Sequence, residues 1–478
     1  VALNRREMLA LSGLGLVSAG LAGAFTACGN KPAPAAAPSS TGTPAQPGWG
    51  PLSKAGEELA LPKGFSYQTF GIAGTPMTDG RPTPGCHDGQ ALFAAGDGQY
   101  RMIRNHEIDM DIPGIEQKAL ADRLAYDRAA PAGCTSSLYH PESGRLVESF
   151  LVLAGTLSNC SGAPTPWGSW LSCEETTAGT SAGFEKPHGY VFEVPSTATG
   201  LVEPIPLKAM GRFEHETAPV DPATGIVYMT EDNGDPGDGF YRFIPNRPGQ
   251  LAAGGKLQML AVTGEKTYDT TKGQRVGAVL PVHWVDIDDP DPSDAEDNPG
   301  SVYSQGREKG GARFLSLEGS AWADGGVTFV ASEAGDAENG QVWRYEPKDP
   351  GSGTLRLLYE STDEAVLNQP DAITVGPDGS VIMAEDGNGD SPGATTGCGC
   401  SPRRAASPTW PRSSRRWTCT TGRRTTTRRP GRPEPARWPD RSSPPTGAIC
   451  SSTFSIRASP ASSAGRGPRP DDRSLTPM

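Results

Sequence analysis

The sequence has no basic surplus: 43 Lys and Arg stand against 55 Asp and Glu, a formal net charge of −12. That balance argues against nucleic acid as a main partner and is compatible with cation binding. Long amphipathic helical stretches are missing, apart from one candidate helix over residues 117–128. Aromatic residues make up only 7% of the chain. The nine cysteines are scattered, without C-x-x-C pairs at zinc-finger spacing, so they define neither a disulfide scaffold nor a structural zinc. Glycine (61) and proline (46) are plentiful, and with short apolar runs between them they point to a turn-dense β protein.

Four segments differ in composition. Residues 1–28 carry Arg5-Arg6 before an apolar run and then Thr26-Ala27-Cys28, the pattern of a twin-arginine (Tat) export signal. The expected location is periplasmic, cell-surface or secreted, and the small residues before Cys28 leave lipidation of that cysteine open beside ordinary cleavage near Ala27. Residues 29–60 are a Pro/Ala/Ser tether. Residues 61–397 show short β-type runs between Gly/Asp/Pro/Asn turns: 189–194 (GYVFEV), 225–229 (GIVYM), 240–243 (FYRF), 326–331 (GVTFVA), 341–345 (QVWRY), 354–359 (TLRLLY) and 380–384 (SVIMA). Many short strands over this length predict an all-β fold, a β-propeller. Residues 398–478 are crowded with Arg, Pro, Ser and Thr and show no strand periodicity.

The densest chemistry lies in residues 164–177, P-T-P-W-G-S-W-L-S-C-E-E-T-T. A thiol beside two carboxylates suits neither a water-facing loop nor a dry core, but it suits a metal needing one soft and several hard ligands. Acidic pairs recur after apolar strands: F-E-H-E-T at 213–217, T-E-D-N-G at 230–234 and A-E-D-G-N-G at 384–389, with Q-P-D-A-I-T at 369–374 and R-N-H-E at 104–107. Strand-end carboxylates can aim oxygens at a shared cavity, and calcium takes six to eight such ligands. One Glu-Asp-Gly is an ordinary hairpin turn; its repetition places the ligand reading level with the turn reading. His106 and His215 read as structural histidines, and the acidic loop at 286–297 as a solvated one.

These blocks carry a resemblance. N-C-S-G-A-P-T-P-W-G-S-W-L-S-C-E-E-T (159–176), G-R-F-E-H-E-T, M-T-E-D-N-G, H-W-V-D-I-D-D-P-D (283–291) and Q-P-D-A-I-T-V with A-E-D-G-N-G-D-S-P-G resemble, in order, the PhoX-type alkaline phosphatases. The resemblance covers most of residues 61–397. It implies a six-bladed propeller and an exported, monomeric phosphatase for small phosphoesters, with Fe3+ and Ca2+ at the funnel mouth. It further implies Cys173 as iron ligand. Glu174, Glu175, Glu216, Glu231, Asp232, Glu318, Asp371, Glu385 and Asp386 would be metal-binding carboxylates. A metal-bridging oxide or hydroxide would be the nucleophile, so no catalytic side chain is assigned. One departure stands out: A-R-F-L-S-L-E-G (312–319) has Ser316 where the family tends to carry a phosphate-clamping arginine, so that either Arg313 or another cation substitutes at the substrate or phosphate binding is weak.

The tail has a sharper reading than a disordered basic segment. Shifting the frame of 446–467 permits D-G-R-D-L-F-V-N-I-Q-H-P-G-I-T-G-V-I-R-G-P-W, a β-like string resembling the family's C-terminal segment. The expectation is a frameshift shortly after Gly397 that disrupts the last blade or the closure and leaves an open edge. Two other function classes stay in view: a non-catalytic, calcium-stabilised propeller binding module at the cell surface, and a propeller oxidoreductase with a bound redox cofactor.

Overall fold

The structure is a computed structural model that describes residues 52–56, 59–110, 112, 116–234, 236–364, 366–376, 380–385 and 453–458. The export-signal residues 1–28, Asp386 and all of the tail except 453–458 lie outside the described residues. Strands β1 (Leu52–Lys54) and β2 (Ala60–Pro62) form a small hairpin, followed by β3 (Phe65–Phe70). The first full blade is the antiparallel meander β4 (His87–Ala94), β5 (Tyr100–His106), β6 (Ala132–His140) and β7 (Arg145–Thr156). The second is β8 (Asn159–Pro164), β9 (Ser169–Glu174) and β10 (Val191–Pro195).

In the third blade, residues 215–220 run beside β11 (Val227–Thr230) through the bridges His215–Glu231 and Val220–Val227. Strands β12 (Phe240–Pro245), β13 (Gly255–Val262) and β14 (Val279–Asp286) continue it outward. The fourth blade is β15 (Leu317–Ala323), β16 (Gly326–Ala331), β17 (Gln341–Asp349) and β18 (Ser352–Glu360), and its outer strand β18 pairs with β14 to join the two blades in one eight-stranded sheet. Strands β19 (Pro370–Val375) and β20 (Val381–Glu385) open the fifth. Strand β21 (Thr453–Ala458), from the Arg-rich tail, pairs antiparallel with β3, Thr453 opposite Phe70 and Ala458 opposite Phe65. The described residues therefore include a strand pair between the two ends of the chain.

The strands expected from the sequence all form. The candidate helix at 117–128 does not: that stretch is irregular, and Leu124 sits at φ +56, a left-handed conformation that interrupts a right-handed helix. The α-helix among the described residues is α1 (Ser301–Glu308), which follows the acidic loop.

Blade packing explains the hydrophobic pattern. Propeller strands are covered on both faces, so all six residues of β9 and of β16 are buried. The core is a series of wedges between neighbouring blades. Ile103, Phe150, Trp170 and Phe192 fill the first, Leu171, Cys173, Met229 and Phe243 the second, and Phe240, Trp284, Phe329 and Tyr345 the third.

Candidate metal centre

A single register rule builds the site. In an antiparallel pair two opposed residues share one face, so the residues one further along each chain share the other face, set diagonally at the end of the pair. The pairs His87–His106, Asn159–Glu174, His215–Glu231 and Pro370–Glu385 all stand at this end of their blades. One residue further along each chain come Asp88 and Glu107, Cys160 and Glu175, Glu216 and Asp232, and Asp371. The fourth blade pairs Leu317 with Ala331, ahead of Glu318 and, two residues on, Glu333. Successive blades thus point ligand-type side chains at one end of the axis.

The inner strands approach closely enough for these groups to meet. A Cβ on Gly89 would lie 2.6 Å from Ser161 Cα, and one on Gly319 would lie 2.6 Å from the Asp371 carbonyl oxygen. Glycine at these two positions lets β4 touch β8 and β15 touch β19. Three groups of ligand atoms result, each with its atoms within 4.8 Å of one another: Asp88, Glu107 and Cys160; Cys160, Glu175 and Glu216; Glu216, Glu318 and Asp371. Cys160 belongs to the first two and Glu216 to the last two, so the groups form a connected chain. Asn105 steadies the thiol strand, its amide donating to the carbonyl oxygens of Cys160 (3.2 Å) and Ser161 (2.7 Å), while its own oxygen accepts from Trp170 Nε1 at 2.8 Å. A cavity of about 820 Å3 continues along the axis, lined by Asp88 and by Gly89, Ser161, Thr217, Gly319 and Ala372, the residues next after each inner-strand ligand.

The electrostatics call for cations. Burial, then the neighbouring carboxylates, push Glu175, Glu216 and Glu318 well above the usual carboxylate range. Asp232 rises to about 6, burial raising it against contacts with Glu175 and Ser316, and Glu214 rises to about 7 through burial and Asp232. The Cys160 thiol is pushed up by burial and then by Glu216, Asp88, Glu175 and Glu107. Glu216, 1% exposed, has only the Cys160 thiol near its oxygens and no stronger hydrogen-bond donor. A buried carboxylate without strong donors is costly, and a metal ion is the partner that removes the cost for the whole group. The residues fit such ions: two groups combine a thiol with carboxylates, and the third is all carboxylate, suited to a hard cation.

The structure sorts the residues expected from the sequence. Glu175, Glu216, Glu318 and Asp371 are brought together, with Asp232 beside them. Cys173 is not among them. It lies fully buried in the apolar wedge with Leu171, Val191 and Met229, and the thiol gathered with carboxylates is Cys160. Glu174 also turns away. It is fully buried and accepts from the backbone N–H of Leu157, Gly189 and Tyr190 and from His188. Glu231 accepts from Gly239 N and Tyr241 OH, with its second oxygen buried and unpartnered. Glu385 accepts from Asn368 N at 2.8 Å. Arg313 is bound elsewhere, Nε to the Pro236 carbonyl at 2.8 Å and Nη1 to Asp269 at 3.2 Å. Ser316 is buried at φ +46, its side chain in contact with Asp232. Asp88 and Cys160 were missed as candidate ligands, and Glu107 was raised with the R-N-H-E block but not assigned; their signal was position, one residue inside or beyond a strand.

A β-propeller with a chain of thiol and carboxylate groups at its axis defines a propeller with a candidate metal centre. The family model described as alkaline phosphatase PhoX matches residues 129–409, and the chain belongs to that family. Among solved structures, Pseudomonas fluorescens PhoX in complex with vanadate, a transition-state analogue, is similar at a TM-score of 0.50 and 16% identity, covering 71% of this chain and 83% of that one. A putative 6-phosphogluconolactonase from Bacteroides uniformis aligns at a TM-score of 0.32 and 13% identity (64% and 79% covered). The soluble aldose sugar dehydrogenase of Escherichia coli in its apo form aligns at 0.33 and 12% (68% and 88% covered). No curated protein matches the chain.

Proposed function

We propose that this chain is an exported hydrolase of phosphate monoesters, with iron in the groups that share Cys160 and calcium in the all-carboxylate group. The observation that carries the reading is the connected set of three groups at the axis of a PhoX-family propeller, joined through Cys160 and Glu216. When bound, such cations neutralise the phosphate oxygens, activate water and stabilise the leaving oxygen. Cys160 contributes the soft donor, and Glu216 offers two oxygens that no other donor claims. Glu318 and Asp371 hold the hard-cation end, while Ser316 contacts Asp232 at the rim. Arg313 is engaged with Asp269 and Pro236, so in this reading the phosphate charge is met by cations and not by a guanidinium. Export by the Tat route, with Cys28 as a candidate lipid anchor, and a frameshift after Gly397 belong to the same reading. Resequencing the locus tests the last: an intact frame for the Arg-rich tail removes it.

The test is metal analysis of the purified full chain together with p-nitrophenyl phosphate hydrolysis at alkaline pH. Bound iron and calcium with turnover are expected. Full loading without turnover supports instead a calcium-stabilised binding module, which the engagement of Arg313 favours. Absence of bound metal overturns the phosphatase mechanism.

A further inference from the structure

Acidic pairs at strand ends present a geometrical problem. Adjacent residues of an extended strand point to opposite faces, so both acids of Glu174-Glu175 cannot enter the funnel. Glu175 does. Glu174 points into the blade, where all of its acceptor capacity is used: Oε1 accepts from Leu157 N (2.9 Å) and His188 Nδ1 (2.7 Å), Oε2 from Gly189 N (2.9 Å) and Tyr190 N (3.1 Å). A carboxylate with four donors has no oxygen left for a cation.

The bonds lead straight to the ligands. Leu157 precedes Ser158, a left-handed corner at φ +47 whose N–H donates to the Ile108 carbonyl and whose carbonyl accepts from Glu175 N. That corner joins the chain next to Glu107, the chain two residues before Cys160, and Glu175 itself. The backbone carbonyl of Glu174 accepts from His215 N at 3.0 Å, which fixes the residue before Glu216. Behind it, His188 Nε2 faces Asp127 Oδ2 at 3.7 Å, and Asp127 is held by the N–H groups of Ala129, Glu185 and Lys186. The arrangement recurs in the fifth blade. Glu385 accepts from Asn368 N, three residues before Asp371, just as Glu174 accepts from Leu157 N, three residues before Cys160.

We infer that Glu174, backed by His188, is a positioning residue that clamps the spacing of Cys160, Glu175 and Glu216, and that Glu385 does the same for Asp371. The inference rests on the proposed function only in taking Cys160, Glu175 and Glu216 as one ligand group. Residues that orient metal ligands without touching the metal typically change affinity by about 10–100-fold when altered. Glutamine at 174 keeps one acceptor oxygen and turns an NH2 toward two N–H donors, so one side of the clamp opens.

The experiment titrates the chelator-stripped full chain with cobalt(II), reading equilibrium affinity and the thiolate-to-cobalt charge-transfer band. Glu174→Gln and His188→Ala are expected to weaken binding about 10–100-fold and to diminish the band at saturation. His188→Gln, which keeps an N–H able to reach Glu174, is expected to restore most of both. A wild-type chain with a full thiolate band and a Glu174→Gln chain that matches it overturn the clamp while leaving the metal site standing. A wild-type chain that takes up cobalt without the band removes the thiol group and the clamp together. Should Glu174→Gln fail to fold, the two His188 variants decide alone: equal affinity in both overturns the clamp.

Discussion

Replacing Cys160 and Cys173 separately by alanine distinguishes the two thiols more sharply than any other pair of changes. Cys173 has no exposed surface and packs among Leu171, Val191, Met229 and Phe243. Removing its sulfur deletes roughly one to two methylene equivalents of buried apolar volume and leaves a small cavity, worth about 1–2 kcal/mol. In a chain of this size that lowers the melting temperature by roughly 1–3 °C and leaves metal content unchanged. Cys160 is shared by two of the three ligand groups, so its loss strips both of their soft donor. Metal retention after dialysis against a chelator should fall by more than about 100-fold, beyond the range for supporting residues. For p-nitrophenyl phosphate, kcat/KM should fall about 1000-fold, equivalent to about 4 kcal/mol of transition-state stabilisation. The assays are elemental analysis, thermal melts with and without chelator, and steady-state kinetics on all three proteins. A Cys160→Ala protein that keeps its iron, or a folded Cys173→Ala protein that loses it, would falsify the assignment.

Chelation should matter more as pH rises. Glu175, Glu216 and Glu318 have folded-state pKa values raised above the unfolded 4.5, so without metal the native state binds more protons and loses stability above about pH 5; melts of chelated protein from pH 5 to 8 should fall steadily while loaded protein does not. His188 acts in the same direction over a higher window. Burial lowers its pKa, but Glu174 and Asp127 outweigh this and hold it at about 9, so its contribution is complete below the unfolded 6.5 and disappears as pH passes 9. That difference corresponds to about 3 kcal/mol, and His188→Gln should flatten that part of a urea-stability profile. Arg313→Ala should leave KM for p-nitrophenyl phosphate within about twofold and cost about 1 kcal/mol of stability, since its bonds go to Asp269, Thr271 and Pro236; a tenfold rise in KM would return it to the substrate.

The strands were legible because a propeller repeats short apolar runs between glycine and aspartate turns, and those runs need no partner to be recognised. The ligands were half legible. Reading Cys173, Glu174 and Glu175 as one site treats neighbours in sequence as neighbours in space, whereas a strand sends successive side chains to opposite faces. Parity alone would have separated Glu174 from Glu175, yet it would have kept Cys173 with Glu175. What separates those two is position along the blade: Cys173 is still inside β9, where the next blade covers it, and Glu175 lies just beyond the strand end. Cys160 comes to the site through the pairing of Asn159 with Glu174 across the blade. That register depends on a turn and on a bulge between the Asn159 and Gly162 pairs, which periodicity within one strand does not encode. Ligands that follow an apolar run were therefore within reach of the sequence, as with Asp232 after β11. Asp88 and Cys160, which open a facing strand outside every acidic motif, required the register, and for Cys160 the register is what the clamp on Leu157 holds.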